Sequence, residues 1–242
     1  MVTTIHHRTR NLRIYTSILC FSCQYPYTSN AFAYHATSTP PLLDVPVYSL
    51  STLGKPSASD SQGRSGTMNI LTYASPVSSA PNRMWCMSLY KGTLSHENFA
   101  RERRGILQLL RPDHVHCSNI GNCAIGSEAV GGLIRVLGGA SGRDVDKRES
   151  CAKLGFVWDK LSQIGEENEE EDDSWPLVLP SCLYYLKLEL VGDLIDCGSH
   201  EAALCRVVAM LSGDDANDLE LDLLSTRQLR RESIISELGR VI

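Results

Sequence analysis

Two long apolar runs near the C-terminal third, CLYYLKLELVGDLIDC (182–197) and HEAALCRVVAML (200–211), are separated by only Gly198 and Ser199. Two residues reverse a chain only as a tight hairpin turn, so the runs pair antiparallel. A lone hairpin is marginal in water, and this one needs further strands to pack against. Upstream segments supply them. VPVYSLST (45–52) predicts a short strand, followed by a Gly/Ser/Pro-rich loop over 54–66. TMNILTYASPV (67–77) and RMWCMSLYKG (83–92) predict two more, joined by the turn-rich SSAPN. GILQLL (105–110) predicts a fourth. Thr93 or Ser95 opens a short helix, TLSHENFARER, with Leu94 and Phe99 inward. EAVGGLIRVLGGASG predicts a helix ended by glycines, and LLSTRQLRRESIISEL a short terminal helix or strand. Many strands, few helices and hairpin spacing define the expected class: mainly β, an antiparallel barrel with helices at its ends.

Charge divides the chain. Residues 1–43 carry Arg8, Arg10 and Arg13 and no acidic residue, which leaves all 28 Asp and Glu to the remainder. The same segment is rich in Ser, Thr and Tyr, a targeting composition. Its order of arginines, the apolar run IYTSILCF and then SNAFAY resembles the two-part plastid presequence of algae with secondary plastids; a mitochondrial presequence and an untargeted tail are the alternatives. The expected domains are this presequence, a barrel over 44–212 with an insertion at 115–127 and an acidic loop at 165–174, and a C-terminal extension from 213. EENEEEDD (166–173) reads as a solvated block.

Net charge −5 argues against non-specific nucleic-acid binding. No apolar stretch reaches about eighteen residues, the length of a membrane helix. Nine irregularly spaced cysteines suit reduced thiols better than a disulfide framework. GGASGR (138–143) lacks the preceding strand and glycine spacing of a dinucleotide motif. His114, His116, Cys117 and Cys123 match no common zinc spacing, so no metal is expected.

TMNILTYASPVSSAPNRMWCMSLYKGT, then SGRDVDK (141–147), then CGSHEAALCRV stand in the order of three segments of the flavin reductase-like family, which this chain resembles over roughly residues 45–212. The resemblance implies a six-stranded antiparallel split β-barrel of Greek-key type, an FMN cofactor at a homodimer interface, and NAD(P)H as co-substrate. It implies that Thr67 and Asn69 face the flavin, with Thr72, Tyr73, Ala74 and Ser75 along its ring and ribityl chain. Short hydroxyl side chains suit this: they let backbone approach a flat ring and donate to a phosphate. Lys91 and Thr93, where a strand passes into a helix N-terminus, form the expected phosphate position, with His96 beside them. His200 stands at the family's Gly-Asp-His histidine, the expected catalytic residue on the nicotinamide side, with Ser199 replacing the aspartate. A non-catalytic FMN-binding or haem-binding split barrel is the alternative. The apolar faces of 182–211 exceed the needs of one small barrel, in line with a dimer.

Overall fold

The computed structural model describes residues 42–56, 66–116, 130–161, 174–213, 223–237 and 239–242. By internal contacts the chain divides into residues 1–40 and 41–242, and all described residues lie in the second unit. The sequence-predicted presequence up to residue 41, the insertion from residue 117 onward and the acidic run 166–173 lie outside the described residues.

Among the described residues, eight strands form one antiparallel sheet. They are β1 (Tyr48–Thr52), β2 (Thr67–Leu71), β3 (Ala74–Ser78), β4 (Met84–Tyr90), β5 (Arg104–Leu109), β6 (Tyr184–Leu190), β7 (Ile195–Cys197) and β8 (His200–Ser212). The order is β2-β1-β5-β6-β8-β4-β3, with β7 also on β8. Its two ends, β2 and β3, are consecutive in the chain and separated only by Thr72 and Tyr73. The sheet therefore curls until its last strand meets its first, and chain continuity closes the barrel. β5 returns beside β1 rather than β4, the Greek-key crossover.

The six expected strands and the eight observed ones are the same runs of chain. β2 and β3 are one run bent at Thr72–Tyr73; β6 and β7 are one run broken at Val191–Leu194. The bend lets Pro76 sit in β3, an edge strand paired only with β4, where a missing N–H costs no ladder bond on the open side. A register shift between Pro76 and Ser78, and another at Lys187/Leu188 opposite β8, add the local twist that curling requires. The β7–β8 turn is Gly198–Ser199, as the sequence predicts; Gly198 has φ 80°, which its lack of a Cβ permits at the first turn position.

The sheet's two faces have different neighbours. Inside the barrel, Tyr48, Leu50, Leu71, Met87, Leu89, Leu107, Leu186, Leu188, Ala203 and Cys205 form one core. Phe99 of α1 (Leu94–Glu102) plugs its end, fully buried. Phe99→Ala would cost about 3–5 kcal/mol. Thr93 caps α1 by accepting from the His96 amide at 3.2 Å, and Arg103 ends it in a left-handed conformation.

Outside the barrel a second core lies under four short helices: α2 (Asp113–His116), α3 (Gly132–Gly139), α4 (Lys147–Lys153) and α5 (Thr226–Arg231). It joins Met68, Ile106 and Tyr185 of the sheet to Leu133, Leu137, Cys151, Phe156 and Trp158. Leu224, Leu229 and Ile234 belong to it too, so the described part of the C-terminal extension is built into the fold. This core draws sheet residues from β2, β5 and β6 and from the chain beside β1, and none from β3, β4 or β8. Among the described residues, helices dress one side of the barrel and leave the other bare.

Candidate functional site

Strand alternation determines what the bare side presents. In β4, Met87 and Leu89 point into the barrel, so Cys86, Ser88 and Tyr90 point out. Register puts Tyr90 opposite His200, Ser88 opposite Ala202 and Cys86 opposite Leu204 and Ser75. On β7, Cys197 stands opposite His200. Tyr73 joins through its carbonyl, which accepts from the Ser88 amide at 2.9 Å. The result is an open patch of aromatic rings, small hydroxyls and one imidazole.

Three rings form its upper corner. His200 meets Tyr90 edge-on at 5.1 Å and Tyr73 at 6.3 Å. Tyr73 is 63% exposed and Tyr90 54%, unusual for rings on a sheet unless something flat or apolar covers them. Val77 on β3, Ile195 on β7 and Val208 on β8 are exposed apolar residues as well, while Met210, also exposed, stands opposite the inward Leu186. The Ser199 hydroxyl lies 3.0 Å from His200 Nδ1.

The β4–α1 junction forms the rim. Lys91 Nζ pairs with Asp196 Oδ1 at 2.8 Å, and the Lys91 amide donates to the Ser199 carbonyl at 3.0 Å. The hydrogen bond to Asp196 raises the Lys91 pKa, and the same contact, with the Gly198 amide, lowers that of Asp196. Thr93 Oγ1 donates to the Tyr90 carbonyl at 3.0 Å while accepting from His96 N. That cap leaves Leu94 and Ser95 as the remaining first-turn amide donors of α1.

The sequence-predicted site residues thus divide. Tyr73, Ser75 and His200 share the open face, Thr72 lies at the bend beside them, and Lys91 and Thr93 occupy the rim. Ala74 turns inward against the barrel core. Thr67 and Asn69 are not brought to this face. Their register partners Thr52 and Leu50 lie on the barrel's inner side, and Thr67 is buried against Gly142, where a Cβ would come within 2.5 Å of the threonine hydroxyl. The Asn69 amide oxygen accepts from the Ile70 N–H at 3.0 Å. His96 also points inward: its Nε2 lies 2.7 Å from Glu201 Oε2, and its Nδ1 is buried without a partner among the described residues. Glu201 pairs with Leu89, an inner residue, so this dyad occupies the barrel mouth.

Sequence reasoning missed Tyr90, Ser88, Cys197 and Asp196. The signal was there in part: Tyr90 is two residues from Ser88 and directly precedes Lys91, so period-two counting puts it on the outer face. Cross-strand partnership with His200 was not readable.

Along α1 from Leu94 to Arg101, Lys55, Glu97, Arg101, Arg143 and Lys147 line a groove of about 980 Å³. Four of these five charges are held within the fold. Arg143 holds Glu97 and, at 2.6 Å, the Gly92 carbonyl; Arg101 holds Asn98 and the Leu53 carbonyl. Lys147 donates to the carbonyls of Met68 and Leu137. The groove is braced and the open face is not.

The described residues thus give a curled antiparallel barrel with an exposed aromatic corner and a Lys91–Thr93 rim on one face. Solved structures agree on the fold. Flavoredoxin from Methanosarcina acetivorans matches with TM-score 0.50 at 14% identity, over 76% of this chain and 77% of that one. Also similar are a Streptomyces globisporus NADH:FAD oxidoreductase, at TM-score 0.49 and 12% identity over 76% and 81%, and an FMN-binding protein from Thermus thermophilus, at 0.48 and 16% over 86% and 85%. No family model matches the chain, and no curated protein matches it. The chain has the split-barrel fold of flavoredoxin.

Proposed function

We propose that this chain is an FMN-binding oxidoreductase that holds the flavin on the open β3–β4–β8 face and reduces it with NAD(P)H. The observation that carries this is the corner of Tyr73, Tyr90 and His200 above Ser75 and Ser88, with Lys91 and Thr93 at its rim. The residues suit the group. Exposed rings and small side chains accommodate a flat heterocycle, while the Lys91 ammonium and the first-turn amides of α1 suit a phosphate dianion.

A bound flavin supplies the hydride-accepting ring, so no protein acid or base is required for that transfer. The chain's own part is to bind and to orient. Tyr73 and Tyr90 flank the imidazole, and His200 offers a ring nitrogen to whatever lies on the face. Lys91 must exchange Asp196 for phosphate, which makes binding sensitive to salt.

Val77, Ile195 and Val208 are exposed apolar residues on the same strands, and a second copy of the chain is the cover we propose for them. Such an interface typically buries more than about 2,000 Å². Plastid delivery by the first 40 or so residues completes the reading.

The experiment is titration of the full chain with FMN and FAD by flavin fluorescence, followed by anaerobic NADH and NADPH oxidation. Saturable FMN binding preferred over FAD, with nicotinamide oxidation dependent on flavin, supports the proposal. Absence of flavin binding overturns it. Binding without nicotinamide oxidation confines the chain to flavin binding.

A further inference from the structure

Four ionisable side chains meet where β7, β8 and the β4–α1 turn close the barrel mouth. Asp196 of β7 and Glu201 of β8 are register partners, so their carboxylates share a face, and like charges placed opposite one another repel. Each has a basic partner: Lys91 Nζ lies 2.8 Å from Asp196 Oδ1, and His96 Nε2 lies 2.7 Å from Glu201 Oε2. Of the neighbouring ionisable groups, Glu97 is held by Arg143, while Cys197 and His200 stand on the outer face.

The two pairs are coupled. The hydrogen bond to Asp196 is the largest cause of the raised Lys91 pKa, and the charge of Glu201 adds to it. Such an interaction is mutual, so the Lys91 ammonium also acts on Glu201. The dyad is the enclosed pair, its side chains 15% and 23% exposed against 73% for Asp196, and water screens it less. A contact of 2.7 Å requires a proton between Nε2 and Oε2. Nδ1 is buried, and no hydrogen bond holds it among the described residues. Surrounding charge, rather than a local bond, therefore decides whether Nδ1 carries a proton as well.

We propose that the His96–Glu201 dyad is the proton acceptor of the anion rim: when Lys91 leaves Asp196 for a phosphate dianion, the dyad takes up a proton from solvent. The phosphate half of this rests on the flavin reading; the coupling of Lys91 to His96 does not. The sign follows from charge. Asp196 and Glu201 then share one fewer cation while a dianion arrives nearby, and both changes favour the protonated dyad. Binding that takes up a proton tightens as pH falls. Neither the phosphate nor Lys91 supplies that uptake, because a phosphate beside an ammonium gives up protons and Lys91 is already charged at neutral pH.

The test begins with NMR titration of the full chain labelled at histidine, His96→Gln identifying the signal among the seven histidines. Lys91→Met should move the His96 midpoint up and Asp196→Asn should move it down, each by about 0.2–0.7 of a pH unit, the size of an exposed ion pair. A mere loosening of the mouth would shift both variants the same way. Midpoints that stay put, or move together, overturn the coupling. FMN and riboflavin are then bound at about pH 7.5, above the ordinary second phosphate pKa of about 6. Calorimetry in buffers of different ionisation enthalpy reads the protons exchanged. FMN should bind with net uptake, riboflavin, which has the ring and no phosphate, without it, and His96→Gln should lose it. FMN binding without uptake, equal uptake for both ligands, or uptake retained in His96→Gln overturns the acceptor role. If FMN does not bind at all, the flavin reading fails, and the two variant titrations still decide the coupling.

Discussion

Lys147 belongs to the SGRDVDK segment by which the sequence resembles the flavin reductase-like family, and the structure makes it a buried strut. Its side chain is 5% exposed, and its ammonium donates to Met68 O of β2 at 3.0 Å and to Leu137 O of α3. Burial lowers its pKa from 10.5 to about 8. As pH falls from 10.5, the unfolded chain takes up this proton first, so the folded state loses stability until about pH 8. The full effect is about 3 kcal/mol, and about 2.5 kcal/mol of it falls between pH 7 and 10. Lys147 therefore makes the protein more stable as pH rises. Three thiols act oppositely. Burial pushes Cys151 and Cys205 up to about 12, and Cys182 upward as well, from 9.0. Unfolded thiols ionise first, and together the three remove about 4 kcal/mol by pH 10. Wild type should thus lose about 2 kcal/mol between pH 7 and 10, and Lys147→Met about 4. Urea unfolding followed by tryptophan fluorescence, with reductant present, measures both. Equal losses would mean that the Lys147 ammonium is hydrated in the folded state. The groove beside α1 would then have a cation available for an anion, contrary to the strut assignment.

Asp196→Asn releases Lys91 from its carboxylate partner, so FMN should bind several-fold more tightly at low salt, whereas Lys91→Ala should weaken binding; flavin titration of both variants checks this, and unchanged affinity in both moves the phosphate elsewhere. Tyr90→Ala should lower FMN affinity while leaving the melting temperature within a few degrees, because the ring is exposed. Val208→Glu with Ile195→Lys should turn a dimer into a monomer by sedimentation; a wild-type monomer with full flavin content would contradict the proposed cover. Thr93→Ala removes the α1 cap and should cost about 1 kcal/mol of stability, read by urea denaturation. The first 45 residues fused to a fluorescent protein should reach a plastid, and diffuse cytosolic signal would count against delivery there.

The sequence by itself determined the strands, the hairpin and the cap, because these follow from local periods and from residues such as Gly198 and Thr93 that satisfy neighbouring backbone. It also singled out Tyr73, Ser75, Lys91 and His200, which the fold brings to one face and its rim. It did not carry their company. Tyr90 and His200 are 110 positions apart, and only the β4–β8 register makes them neighbours. Thr67 and Asn69 looked equivalent to Tyr73 and Ser75 in one continuous run, yet the bend at Thr72–Tyr73 hands the first half to the barrel interior and the second to the open face. His96 likewise reads as a helix residue beside the phosphate position, and only the fold brings Glu201 close enough to turn it inward. Side-chain direction along a strand is local information, but which direction is the outside depends on how a closed sheet curls and on which half the helices cover. That is decided by packing between residues far apart in the chain.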